Sequence, residues 1–261
     1  MNATDDLAAQ LWRARQQGGV IPRAAADGLD GIAAAYAVQQ KIAALAGKPV
    51  AGWKIGATSQ AAQRLLGVDG PAAAPMFADR CLEIPAAVAV FPGHNASVEC
   101  EFAFRFARAL PPVERDYARA DVLDAVGWLV PAVEIVGCRF EGGFAGIGAV
   151  RLIADMVANI AWAGGRPVAE WRGLDVKAHK ISLSRNGEAA AEGVGANALG
   201  DPLTVLEWTA NHLSQRGLGL NAGDVVSTGT CTGVVAVGPG DSVTADFGAL
   251  GKVEVSFSRL S

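Results

Sequence analysis

Charge is scarce in this sequence. Asp, Glu, Lys and Arg together make up 18% of the 261 residues, and the formal net charge is −4. With no basic excess to meet phosphates, the balance argues against nucleic-acid binding. So few charges leave few solvated faces, which suits subunit contacts such as those of a homo-oligomer. No apolar stretch reaches the roughly 18–20 residues of a membrane helix. The start, Met-Asn-Ala-Thr-Asp-Asp, has no cationic segment followed by an apolar run. No signal peptide and a cytoplasmic location are therefore expected. Histidine is rare, and His94, His179 and His212 are scattered, which weakens the case for zinc or a Ser-His-Asp triad. Cys81, Cys100, Cys138 and Cys231 form no CxxC pair and are expected to be reduced core thiols. A Walker loop, a GxGxxG turn and a GxSxG elbow are all missing.

Apolar residues, by contrast, make up 51%, enough for a sizeable core. Thr4 or Asp5 can cap a first helix carrying Leu7, Leu11 and Trp12. Asp30 can open a second, with Ala35, Val38, Ile42 and Leu45 at helical spacing. A strand-like run at 50–56 follows, then a helix capped by Thr58 or Ser59 and ended by Gly67. After about residue 75, β-rich runs are predicted at 86–91, 98–106, 130–137, 177–185, 224–228, 234–237 and 243–257. Helices are predicted near 117–128, 150–163 and 202–217. The pattern predicts an α+β protein with a helical N-terminal region over 1–75 and a β-rich catalytic core over 76–261.

The most informative stretch is Val98-Glu99-Cys100-Glu101-Phe102-Ala103-Phe104-Arg105-Phe106. Strand alternation puts the even, apolar positions on the core. Glu99 and Glu101 then share the other face, roughly 7 Å apart at ~3.3 Å per residue. A cation between them would relieve their repulsion, and a solvated strand face is the alternative. Glu134 is the only charge in Val130–Val136, and a lone buried carboxylate needs a partner, a proton or a metal. Arg105 or Arg139 is the structural alternative as partner. Three carboxylates without a His/Cys cluster suit magnesium, manganese or calcium better than zinc.

Lys54, between Gly52-Trp53 and Ile55-Gly56, either meets a substrate carboxylate or reaches solvent from an edge strand. Asp79 is either a turn residue or a polar site group. Ser227-Thr228-Gly229-Thr230 can offer N–H groups and a hydroxyl to an anion, or be an ordinary loop.

Six runs in order carry a family pattern. They are Gly-Trp-Lys-Ile-Gly-Ala-Thr-Ser from Gly52, Leu-Gly-Val-Asp from Leu66 and Val-Glu-Cys-Glu-Phe-Ala-Phe from Val98. Pro-Ala-Val-Glu-Ile-Val from Pro131, Leu-Gly-Asp-Pro-Leu from Leu199 and Leu-Asn-Ala-Gly-Asp-Val-Val-Ser-Thr-Gly from Leu220 complete the set. Together they resemble the fumarylacetoacetate hydrolase superfamily, and within it the 2-keto-4-pentenoate hydratase / 4-oxalocrotonate decarboxylase family. The resemblance covers nearly the whole chain. It implies a mixed β-roll core with a smaller helical N-terminal part, and oligomerisation. It implies magnesium or manganese on Glu99, Glu101 and Glu134. It also implies Lys54 and Asp79 as catalytic groups, with Thr230 and Asn159 in substrate binding. One departure stands out: the family's usual Ala-Asp-Asn-Ala-Ser run reads Val157-Ala158-Asn159-Ile160-Ala161 here. Asp155, one helical turn before Asn159, is a candidate to compensate.

The implied activity acts on a small 2-oxo acid. The first expectation is hydration of a 2-hydroxy-2,4-dienoate to a 4-hydroxy-2-oxo acid. Decarboxylation of a 4-oxalocrotonate-type diacid is the closest alternative. C–C bond hydrolysis normally calls for an additional His-Glu pair, and no histidine precedes His94. A catalytically inactive metal-binding subunit, supporting a pathway enzyme as partner, is the non-enzyme alternative. Burial beside Trp53 is expected to lower the Lys54 pKa enough for proton shuttling.

Overall fold

The computed structural model describes residues 3–260. Helices α1 (Ala3–Gln17) and α2 (Gly31–Ala46) come first and pack through Leu7, Leu11, Val38 and Ile42. Asp5 and Asp6 open α1 and Arg15 closes it, which suits the helix dipole. A hairpin follows: β1 (Val50–Gly56), α3 (Gln60–Leu66) and β2 (Ala72–Phe77). Ser59 caps α3 by accepting from the Ala62 N–H at 3.1 Å.

The remaining strands are β3 (Cys81–Glu83), β4 (Ala86–Val90), β5 (Ser97–Phe106), β6 (Val126–Val136), β7 (Asn159–Gly164), β8 (Lys180–Arg185), β9 (Glu188–Val194), β10 (Val225–Thr230), β11 (Val235–Ala236), β12 (Ser242–Asp246) and β13 (Lys252–Arg259). Helices α4 (Arg119–Ala125), α5 (Gly148–Ala154) and α6 (Pro202–Gln215) complete the described residues. The main sheet runs β2-β1-β10-β5-β6-β7-β3, with β11 beside β5, and the second runs β4-β13-β12-β8-β9. Both mix parallel and antiparallel pairs.

The even positions of β5 face the second sheet, as alternation predicts. Phe102, Phe104 and Phe106 are fully buried there, and Phe102 meets Phe247 edge-on at 5.6 Å. On the other side, α1, α2 and α5 cover Ala72, Ala74 and Phe77 of β2. The main sheet is therefore buried on both faces. Of its odd-numbered β5 glutamates, Glu101 lies wholly in protein and Glu99 is half-buried.

Several elements differ from the sequence expectation. The boundary placed between residues 75 and 76 falls inside β2. β1 and β2 belong to the main sheet because Lys54 pairs with Ala74 on one side and with Ser227 on the other. The helix expected over 150–163 stops at Ala154, and Asn159–Gly164 is strand. Its Ala-rich sequence is permissive for helix, but pairing to β6 through Ile135–Ala161 and Glu134–Trp162 decides the outcome. The helix near 117–128 is shorter, ending at Ala125, because β6 starts at Val126 and pairs with β5 from Phe106 onward. The run at 243–257 is two strands, β12 and β13, joined by a turn through Gly248–Leu250. All four cysteines are free, with Cys100, Cys138 and Cys231 buried.

Candidate metal and substrate site

β5 and β6 run antiparallel with Glu99 opposite Glu134 and Glu101 opposite Ala132. Alternation along β5 then brings all three carboxylates to one face. One oxygen from each lies within 4.8 Å of the others. Glu101 and Glu134 are wholly buried, and Glu99 is half-buried.

Each buried carboxylate is held by one oxygen only. Glu101 Oε2 accepts from Ser227 Oγ at 2.5 Å and from the Gly229 N–H at 3.0 Å. Ser227 Oγ in turn accepts from Trp162 Nε1 at 3.1 Å. Gly229 sits at φ +92°, and a Cβ there would lie 2.0 Å from Thr58 Oγ1, so only glycine brings this N–H to the carboxylate. Glu134 Oε1 accepts from Asn159 Nδ2 at 3.1 Å. Arg15, at the end of α1, donates to the Asn159 main-chain and side-chain oxygens and so fixes the amide. The other oxygens, Glu101 Oε1 and Glu134 Oε2, receive no aligned hydrogen bond, although Lys54 Nζ stands 3.1 Å from the latter as an ion pair.

Lys54 is 2% exposed, and its ammonium also donates to the Val157 carbonyl at 3.0 Å. That carbonyl is aimed by an unusual backbone. Met156, Val157 and Ala158 all have positive φ, at 57°, 48° and 62°. Such residues cost of order 1–3 kcal/mol each and persist where the surroundings over-determine them. The strained turn points the Val157 carbonyl at Lys54 and delivers Asn159 to Glu134.

Burial pushes the Glu99 carboxyl up to about 7, against the pull of Lys54, with Glu134 adding to the rise. Burial, then Glu134 and Glu99, raises Glu101 well above the usual carboxylate range. For Lys54, burial acts downward, but Glu134, Glu99 and Glu101 outweigh it and the net shift is upward. The depression expected from burial beside Trp53 is therefore reversed by three carboxylates. A buried oxygen with no partner at Glu101, a second at Glu134 met only by Lys54, an all-oxygen donor set and excess negative charge fit a hard divalent cation. Glu99, Glu101 and Glu134 are the residues that would hold it.

Asp79 is not brought to this cluster. It lies in the exposed turn Ala78–Arg80 and pairs with Lys48 at 3.5 Å. The β1–β2 register explains why: Ala74 is opposite Lys54, and Asp79 falls beyond Phe77 at the far end of the hairpin. Thr230 is opposite Glu101 on β10, and its hydroxyl donates to the Gly233 carbonyl at 3.0 Å. Asn159 serves Glu134 rather than an open cavity. Asp155 does not stand in for the missing acid. With no helix over 155–159, its carboxylate turns to Arg139, accepting from Nε at 2.6 Å and from the backbone N–H at 2.9 Å. Ala158 borders the cavity described next, whereas Ala161 faces the core between the sheets.

A cavity of about 320 Å³ opens beside the cluster. Lys54 and Glu99 line one end, and the remaining wall is apolar, including Leu65, Leu66, Phe144, Ile147 and Val157. Lys54 is the one cationic side chain in that lining.

Residues 67–258 match the sequence model of the fumarylacetoacetate (FAA) hydrolase C-terminal family. The chain belongs to the fumarylacetoacetate hydrolase family. Within it, the chain is 35% identical to a 2-keto-4-pentenoate hydratase of Paraburkholderia xenovorans, over 85% of this chain and 82% of that one. It is 29% identical to a 4-oxalocrotonate decarboxylase of Pseudomonas putida, over 81% and 78%. The fold superposes on the 4-oxalocrotonate decarboxylase of Pseudomonas putida G7, complexed with magnesium and adipate, at a TM-score of 0.88. Identity is 26%, and 97% of each chain is covered. A second structure of that decarboxylase holds calcium and acetate. No helix among the described residues is long and apolar enough to cross a membrane.

Ser227, Gly229, Trp162 and Arg15 are the supports that sequence reading did not assign. The Ser227–Thr230 run was suited to an anion, and the anion its N–H meets is the chain's own Glu101. Arg15 and Trp162 carried no local signal. Supports of this kind typically change metal affinity 10–100-fold when lost. Ser227→Ala is accordingly expected to weaken magnesium binding about 10–100-fold, read by titration calorimetry. Unchanged affinity would remove Ser227 from the site.

Metal binding is also expected to release protons. Glu99, raised to about 7, holds its proton below that pH and must lose it to bind a cation, and Glu101 is raised in the same direction by burial and its neighbouring carboxylates. Affinity should fall about tenfold per proton displaced for each pH unit below 7. Calorimetry in two buffers of different ionisation enthalpy counts the protons, and a pH-independent affinity between 6 and 8 would contradict the raised values.

Proposed function

We propose that this chain is a divalent-metal-dependent hydratase that adds water to a 2-hydroxy-2,4-dienoate monoacid, giving a 4-hydroxy-2-oxo acid. The observation that carries the choice is the cavity lining. A diacid of the 4-oxalocrotonate type would bury a second carboxylate against an apolar wall whose one cation, Lys54, already sits at the glutamate end. A monoacid has no such cost. The higher identity to the hydratases than to the decarboxylase points the same way.

A cation held by Glu99, Glu101 and Glu134, here magnesium or manganese, would supply Lewis acidity toward the carboxylate and 2-oxo oxygen of the substrate. The chain's own groups do the rest. Lys54 stays protonated, because its pKa is raised, and so presents a positive charge and a proton at the acid end of the cavity. It can orient the substrate carboxylate and take up the proton lost from the 2-hydroxyl while passing its own to C5 through water, after which water adds its hydroxyl at C4 and its hydrogen at C3. The apolar wall keeps the diene desolvated. Thr230 remains assigned to the substrate carboxylate, from its position opposite Glu101.

The test uses metal-stripped protein with and without magnesium or manganese. Loss of ultraviolet absorbance from 2-hydroxypenta-2,4-dienoate is followed, together with carbon dioxide release from 4-oxalocrotonate. Metal-dependent dienoate loss without carbon dioxide is expected. Carbon dioxide release from the diacid at a comparable rate would move the assignment to a decarboxylase.

A further inference from the structure

The cavity at Lys54 and Glu99 is much larger than a five-carbon acid needs. At ~30 Å³ per water in the liquid, its roughly 320 Å³ has room for about ten waters. A five-carbon acid held at Lys54 and Glu99 would leave part of that volume unfilled. A second cavity of about 310 Å³, lined also by Tyr36, Trp208 and His212, shares part of its wall with the first. Ala57, Leu66 and Leu152 line both cavities and so form the partition. Leu66 is the last residue of α3 and only half-buried.

We propose that the site takes 2-oxo and 2-hydroxydienoic acids carrying an apolar tail beyond C5, and that Leu66 and Leu152 set the limit on tail length. The inference rests on the orientation proposed above, with the acid group at Lys54 and the glutamates. Apart from Lys54 and Glu99 the side chains lining the cavity are apolar, so a tail that extends from that anchor inside it meets aliphatic and aromatic carbon. Each methylene moved from water onto such a wall strengthens binding about fourfold. A charged or hydroxylated tail would lose hydrogen bonds that this wall cannot return.

The experiment measures binding as well as turnover. Magnesium-loaded protein is titrated calorimetrically with 2-oxobutyrate, 2-oxohexanoate, 2-oxooctanoate and 2-oxodecanoate. Affinity is expected to rise about fifteenfold per two added carbons and then fall once the tail meets the partition. Leu66→Ala should shift the optimum to longer acids, and Leu66→Phe to shorter ones. Opposite shifts in the two variants cannot both come from misfolding. In parallel, kcat/KM is measured for 2-hydroxypenta-2,4-dienoate and its 5-alkyl homologues. Affinity that is flat or falls with length overturns the inference, even where the pentadienoate is turned over. Affinity that rises while no dienoate is consumed upholds the tail pocket and overturns the hydratase assignment instead.

Discussion

Glu101→Gln is expected to abolish turnover and to weaken magnesium binding by more than about 100-fold, while the fold survives. Glu101 contributes a carboxylate oxygen, Oε1, that is buried and without a donor. Removing a ligand costs more than removing one of its supports, for which about 10–100-fold is typical. Glutamine keeps an oxygen for Ser227 and Gly229 and removes a charge that burial, Glu134 and Glu99 all disfavour. The metal-free variant should therefore melt at or above the parent's temperature. The parent, with magnesium at about a hundred times its Kd, gains about 2.7 kcal/mol, or a rise of about 5–10 °C in Tm for a domain of this size. The variant should lose that rise. A variant that keeps the magnesium-dependent rise and full activity at limiting metal would show that the three glutamates are not the site.

The three glutamates were legible because strand alternation is a strict rule. Two of them two residues apart share a face whatever the rest of the chain does, and a single charge in Val130–Val136 must be accounted for. Lys54 was legible as a residue but not in its state. Its pKa depends on which charges approach it in three dimensions, and three carboxylates reverse the effect of burial. Asp79 shows the opposite failure. Its neighbours in sequence gave no register, and two residues beyond β2 are enough to carry it to the surface beside Lys48.

The least legible stretch was 155–161. Read locally, alanines, a methionine and an isoleucine continue a helix, and Asp155 then lies one turn from Asn159. The fold instead spends three left-handed residues to break α5 and start β7. No local preference favours positive φ at a valine. What holds it is non-local: Lys54 on the Val157 carbonyl, Gly137 N–H on the Ala158 carbonyl, and Arg15 on Asn159. The same contacts tie the N-terminal helices to the glutamates. Arg15 belongs to α1, yet its fork sets the amide that holds Glu134. The helical region thus contributes to the site as well as to the core.

Lys54→Met should separate metal binding from chemistry. Lys54 Nζ lies 3.1 Å from Glu134 Oε2, an oxygen that a bound cation would also need. The ammonium and the dication therefore compete for one ligand atom. Methionine keeps an unbranched apolar stem and removes the competitor, so magnesium affinity should hold or rise. The same change removes the proton-bearing group at the acid end of the cavity. Proton transfer from a positioned side chain contributes about 10²–10⁴-fold, so kcat should fall by that range, with the magnesium-dependent rise in Tm retained. Two results would contradict this. Loss of magnesium binding with retained folding would make Lys54 a structural counter-charge whose removal collapses the carboxylate cluster. Near-normal kcat with intact metal binding would mean that solvent, not Lys54, handles the proton, and the catalytic assignment of this lysine would fall while the glutamate site stood.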